Sequence, residues 1–192
     1  ILPMATSQDH KRVGEGDIGP NTGGMGAYSP AAVVTPEIHE RIMKEIIEPT
    51  VKGMAAEGHP YTGFLYAGLM IAAKGKDKGR PKVIEYNVRF GDPETQPIMM
   101  RLKSDLANLC LAAVNKALDT QTTEWDTRAS VGVVMAAEGY PGSYDKGMVI
   151  TGIGPPVDEG GSGNTGLDDV QVFHAGTRLE DGKVVTGGGR VL

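Results

Sequence analysis

Nine residues, Lys82 to Phe90, constrain this chain more than any other stretch. They read KVIEYNVRF and run directly into GDPETQP. Ile84, Tyr86, Val88 and Phe90 alternate with Glu85, Asn87 and Arg89. Successive side chains of a strand point to opposite faces, so period two puts the three polar groups on one face and the apolar groups on the other. The apolar face is expected to pack on a helix, at 104–118 or 36–48. The polar face is expected to open onto a cleft shared with residues 62–72 and 19–26. Asp92-Pro93-Glu94 then has the cap pattern of a short helical turn, whose free N–H groups would face that cleft.

The polar set consists of a carboxylate, an amide oxygen and a guanidinium. Glu85 and Asn87 lie about 6–7 Å apart along a strand face, so their oxygens can reach one hard cation. Magnesium needs few protein ligands and completes its shell with water and phosphate oxygens. Arg89, one step further on, can pair with a phosphoryl oxygen. A solvent-facing strand with ordinary polar residues satisfies the same alternation, and spacing alone does not separate the two readings.

Glycine is the compositional departure. The 28 glycines among 192 residues are roughly twice the usual share of about 7%. They gather in 14–26, 139–166 and 182–189, so they belong to loops. One cluster, GPNTGGMG at 19–26, has the make-up of a loop whose backbone N–H groups approach an anion. It matches neither a P-loop nor a dinucleotide-binding fingerprint, and a plain surface turn fits it as well. SQDHKR at 7–12 packs an acid, an imidazole and two cations together, with the same two readings. The common serine-hydrolase, zinc-protease and CxxC motifs are absent from the sequence.

Residues 10–30 read as a Gly/Pro/Asn-rich loop without periodicity. Thr35-Pro36-Glu37 reads as a helix start, with Thr35 as N-cap and Pro36 at N1. Ile38, Ile42, Ile46 and Ile47 supply its apolar stripe, and Pro49 is expected to kink or restart it. Strands at 62–72 and 82–90 are joined by a lysine- and glycine-rich hairpin loop. Ser104-Asp105 opens a second long helix with Leu102, Leu106, Leu109, Cys110 and Ala113 on one side, which makes Cys110 a core residue. From Ala129 onward the texture is short strands and glycine turns, with 155–169 reading as a surface loop. The domains expected are 1–124 and 125–192.

The net charge of −5 provides no basic footprint for a nucleic-acid backbone. No apolar run reaches the length of a membrane span. A single cysteine excludes an internal disulfide and suits a reducing cytosol, so a cytoplasmic protein is expected. The chain starts at Ile1 and stops inside a strand-like run, and the expectation is a piece of a longer protein.

ATSQDHKRVGEGDIGPNTGGMGAYSP, YTGFLYAGLMI, KVIEYNVRFGDPETQPIMMRLKSDL, AAEGYPG and VFHAGT, in that order along the chain, resemble the glycinamide ribonucleotide synthetase family of the ATP-grasp superfamily. The match weakens only at 72–81 and 153–171. The resemblance implies an α/β (α+β) fold: the C-terminal lobe of an ATP-grasp domain, with an antiparallel sheet and helices, followed by the start of a small β-rich domain. It implies an ATP-dependent ligase that joins glycine to 5-phosphoribosylamine through glycyl phosphate, releasing ADP and phosphate, in purine biosynthesis. Charge gathers on the phosphoryl oxygens in the first step, where a divalent cation and an arginine act.

By that resemblance Glu85 and Asn87 hold Mg²⁺ or Mn²⁺, and Arg89 steadies the phosphoryl group. Asp9, Lys11, Asn21, Thr22, Gly23, Gly24 and Gly26, with Asp92 and Glu94, line the side of glycine and phosphoribosylamine. The implied partners are small-molecule substrates and the rest of a parent chain, with no nucleic acid and no membrane. Many ATP-grasp enzymes carry a further metal-binding glutamate on the preceding strand. Here that strand has Ala67 and Gly68 in its place, so two protein ligands are expected. The piece is expected to be inactive alone. Another ATP-grasp carboxylate–amine ligase would share Glu85, Asn87 and Arg89 but not PNTGGMGAYSP, and a fragment that only folds or assembles is the remaining alternative.

Overall fold

The computed structural model describes residues 1–153, the backbone of 162–164, and 169–192. The loop expected at 155–169 falls largely outside the described residues. By backbone contacts the chain forms two compact units, one of Ile1–Gln8 with Ala27–Val131, the other of Asp9–Gly26 with Gly132–Leu192. The chain therefore crosses between units three times, within strands β1 (Gln8–Asp9), β4 (Gly26–Ser29) and β7 (Ser130–Val133).

In the first unit, α1 (Pro36–Ile42) starts as its caps require: the Thr35 hydroxyl accepts from the Ile38 N–H, and Pro36 follows. The helix does not break ahead of Pro49. It passes through a π-helical turn, Met43–Ile47, into α2 (Glu48–Ala56). Pro49 has no N–H for a carbonyl four residues back. The backbone widens by one residue just before it, with the Glu48 N–H reaching the Met43 carbonyl. Ile42 and Ile46 are the buried residues of this helix.

Strands β5 (Tyr66–Ile71) and β6 (Pro81–Asn87) form the expected antiparallel hairpin. α3 (Thr95–Met99) and α4 (Leu106–Val114) follow. Asp105 caps α4 by accepting from the N–H groups of Ala107 and Asn108, and Leu109 and Ala112 are its buried residues. Cys110 is only half-buried beside them. Arg101 is buried but structurally committed: its guanidinium donates to Ser29 Oγ and to the carbonyls of Arg128 and Asp126.

The second unit is β-rich. Residues 10–30, expected as a loop, contain a hairpin of β2 (Arg12–Gly14) and β3 (Ile18–Asn21) before β4. Strands of three or four residues are too short to show a period, which is why the sequence hides them. Further along, β8 (Ser162–Asn164) pairs with β9 (Gln171–Phe173), and β10 (Thr177–Glu180) with β11 (Lys183–Thr186). The β10–β11 turn places Asp181 and Gly182 at positive φ, the backbone of a two-residue hairpin. MVITGIG, expected as a strand, contributes one bridge, Val149 to Val185. The core of this unit includes Val185 and Val191.

Candidate functional site

Glu85 and Asn87 sit at the regular end of β6. Their partners across the hairpin are Gly68 for Glu85 and Tyr66 for Asn87. Directly opposed residues share a face, so Tyr66, Gly68, Glu85 and Asn87 form one patch. The absence of a side chain at Gly68 matters here: a Cβ would stand 3.2 Å from Glu85 Cγ and 3.5 Å from the Tyr66 ring. Glycine thus makes room for the glutamate stem and contributes no donor of its own. Glu85 is exposed and Asn87 half-buried. A carboxylate and an amide oxygen, two residues apart on one face, form a hard-oxygen donor pair that suits a magnesium-like ion. Among the described residues, no three His, Cys, Asp or Glu side chains gather into a larger metal cage.

Period two does not run the whole length from 82 to 90. The register slips between Gly68 and Leu69, which face Glu85 and Val83 respectively, so Ile84 is an extra residue bulged out of the ladder. The strand also ends at Asn87, and Val88 and Arg89 form a bend. Arg89 is therefore not the third member of a strand face. Its Nη1 donates to the Phe90 carbonyl at 2.7 Å, on the exposed surface. The apolar side differs from expectation as well. Tyr86 meets α2 through its hydroxyl, 2.7 Å from Thr50 Oγ1, and the hairpin loop meets α1 through Arg41 Nη1 and the Gly79 carbonyl. Ile84 and Val88, however, are 62% and 75% exposed. A two-stranded ribbon with a bulge offers these helices only a narrow edge to cover.

Past the bend, Asp92 does not cap α3. Glu94 holds the N-cap position in helical conformation, with no side-chain cap bond. Asp92 is exposed, whereas Glu94 is only 3% exposed. Glu94 Oε1 accepts from the Tyr66 hydroxyl at 2.6 Å, and Glu94 Oε2 is buried with no hydrogen-bond partner. Tyr66, which sequence reasoning passed over, thus joins the Glu85–Asn87 face to a buried carboxylate. Its position two residues before Gly68 was the available signal.

The remaining candidates belong to the second unit. Asp9 is half-buried, with its carboxylate 3.8 Å from the Lys11 ammonium, which is itself half exposed. Asn21 ends β3 opposite Arg12. The glycine-rich loop does not offer its amides to an anion. Thr22 N–H donates to the Lys11 carbonyl, Gly23 N–H to the Tyr140 hydroxyl, Gly24 N–H to Thr22 Oγ1 and Met25 N–H to the His10 carbonyl. Arg190 Nη1 donates to the Gly23 carbonyl at 3.0 Å. Gly26 lies so near the Gly132 carbonyl that a Cβ would stand 2.7 Å from it. The glycines here serve close packing of backbone. Nothing in the spacing could have pointed to Tyr140 or Arg190, more than a hundred residues away along the chain.

Several known proteins are similar to this chain. The phosphoribosylamine–glycine ligase of Vibrio vulnificus is 67% identical over 192 residues, and that of Salmonella typhimurium 66% identical over 193. Each match covers all of this chain and 42% of the relative, so the chain spans less than half the length of these proteins. The crystal structure of phosphoribosylamine–glycine ligase from Thermotoga maritima superposes with a TM-score of 0.76 at 37% identity, over 99% of this chain and 43% of that one. The mixed fold of antiparallel sheets and helices is thus that of part of an ATP-grasp ligase. The family profile described as phosphoribosylglycinamide synthetase, ATP-grasp (A) domain, matches residues 1–95, and that of the C domain matches 130–192. By these two matches in sequence order, the chain belongs to the phosphoribosylglycinamide synthetase family.

Proposed function

We propose that the whole protein ligates glycine to 5-phosphoribosylamine at the expense of ATP, giving glycinamide ribonucleotide, ADP and phosphate by way of glycyl phosphate, and that it does so in the cytoplasm. In this reading residues 1–124 belong to the ATP-grasp part and 125–192 to the C-terminal β-rich part. The observation that carries the proposal is the Glu85–Asn87 pair on one face of β6, opposite the side-chain-free Gly68, in a chain of this family.

Glu85 and Asn87 would hold Mg²⁺ or Mn²⁺, which when bound neutralises charge on phosphate oxygens. Arg89 lies on an exposed bend two residues beyond Asn87, where rotation of its side chain away from the Phe90 carbonyl frees the guanidinium for a phosphoryl oxygen. By likeness to the family, Asp92 and Glu94 are assigned to substrate binding, and so, each taken by itself, are Asp9, Lys11 and Asn21–Gly26. With the amides of residues 22–25 already bonded, the loop contributes side chains and shape, while Lys11 supplies positive charge for an anionic group.

The test is Glu85→Ala in the complete enzyme. Glu85 is exposed, so the fold has little to lose, while one of two protein donors disappears. Turnover is expected to fall by about two orders of magnitude or more, with the melting temperature unchanged. Near-normal turnover at saturating Mg²⁺ would refute the assignment.

A further inference from the structure

We infer that Arg190 and Tyr140 are positioning residues that latch the glycine-rich loop at 22–25 into the shape in which it meets substrate. The inference deepens the proposed function and rests on that reading of the loop. All the groups concerned lie in the second unit.

The loop is held from outside at its centre. Arg190 Nη1 donates to the Gly23 carbonyl at 3.0 Å and reaches the Gly24 carbonyl at 3.5 Å. On the other side of the same residue, the Tyr140 hydroxyl accepts the Gly23 N–H at 3.2 Å. Gly23 is thus gripped at both its donor and its acceptor by side chains 167 and 117 residues away in sequence. The neighbouring amides close locally, on Lys11, Thr22 and His10. Glycine at 23 leaves room for the guanidinium in this position, since a Cβ there would stand 2.8 Å from the Arg190 Cζ and Nη2 and push the side chain aside.

A peptide of two glycines has more backbone freedom than any other pair and would otherwise sample many shapes. A guanidinium on its carbonyls and a phenol on its amide select one of them. Arginine is suited to this, because its planar fork stays charged and addresses adjacent acceptors together. The cost of ordering the loop is then met on folding rather than on substrate binding.

The test uses Arg190→Gln, Arg190→Lys and Tyr140→Phe in the complete enzyme, with two readouts. Amide exchange in the peptide spanning the loop reports the latch by itself. It is expected to rise at Gly23 in Tyr140→Phe, which removes that amide's acceptor, to rise at Gly23 and Gly24 in Arg190→Gln as the loop loosens, and to return part of the way in Arg190→Lys. Steady-state kinetics report the loop's role. The KM values for glycine and phosphoribosylamine are expected to rise about tenfold or more in Arg190→Gln, the scale of one lost hydrogen bond from a charged group, while KM for ATP and kcat hold. Tyr140→Phe keeps the ring and guards against a misfolded Arg190 variant. Unchanged exchange in both Arg190→Gln and Tyr140→Phe would overturn the latch whatever the kinetics. Raised exchange with all KM values unchanged would leave the latch standing and overturn the loop's part in substrate binding.

Discussion

Replacing Tyr66 by phenylalanine removes one oxygen atom and leaves everything else in place, including the ring beside Gly68. The hydroxyl donates to Glu94 Oε1 at 2.6 Å, within the short range of about 2.5–2.7 Å found for bonds to a charged oxygen. Glu94 is 3% exposed, and its other oxygen, Oε2, has no partner. At 3% exposure little room is left for water to replace the missing donor. A hydrogen bond to a charged group contributes about 1.5–3 kcal/mol, and the buried acceptor left behind puts the expected loss near the upper end, about 2–3 kcal/mol. Glu94→Gln provides the control, because it keeps an acceptor oxygen and drops the charge. In that background Tyr66→Phe is expected to cost only about 1 kcal/mol, the scale of a neutral bond. The difference between the two costs is a coupling energy, free of whatever else the Tyr66 hydroxyl touches. It is measured by urea unfolding of the four proteins, followed by circular dichroism. Equal costs in the two backgrounds, within about 0.5 kcal/mol, would refute the claim that Tyr66 serves a buried charged carboxylate.

Two further outcomes are expected. Gly26→Ala sets a Cβ 2.7 Å from the Gly132 carbonyl, a backbone atom with no freedom to swing aside, so overpacking should cost about 1–3 kcal/mol as a lower urea midpoint; an unchanged midpoint would show that the strands part easily. The Arg128 side chain and N–H, both bonding the Asp126 carboxylate, hold its pKa well below the ordinary value. A depressed folded pKa means that this contribution to stability is present above the unfolded value of about 3.9 and is lost as pH falls through the folded one. An NMR titration should find Asp126 still ionised at about pH 3 and, in Arg128→Ala, restored toward about 3.9; a midpoint near 3.9 in the unaltered protein would refute the pairing.

What could be read from the residues alone was local or periodic. Thr35 and Asp105 announce helix starts because a cap is a bond between neighbours in sequence, and both caps are present. The hairpin of β5 and β6 follows from two apolar runs around a charged glycine loop, and Glu85 with Asn87 needs only a regular two-residue step. Family membership was legible for a similar reason: motifs such as PNTGGMGAYSP and NVRFGDPETQP are contiguous strings, recognisable without knowing what they touch.

The tertiary structure decided everything that depends on a partner distant in the chain. The bulge at Ile84 arises from registering β6 against β5, and no property of residues 82–90 taken alone places it. The end of the strand at Asn87, which moves Arg89 onto a bend, is likewise set by where the ladder stops finding a partner. Tyr66 reaches Glu94 across 28 residues, and Arg190 reaches Gly23 across 167. The glycines at 23–26 look in sequence like an anion cradle, yet the N–H groups of residues 22–25 are bonded within the protein. Hydrogen bonding saturates: a backbone donor can be assigned to a ligand only once its neighbours in space are known, and the order of residues does not name them.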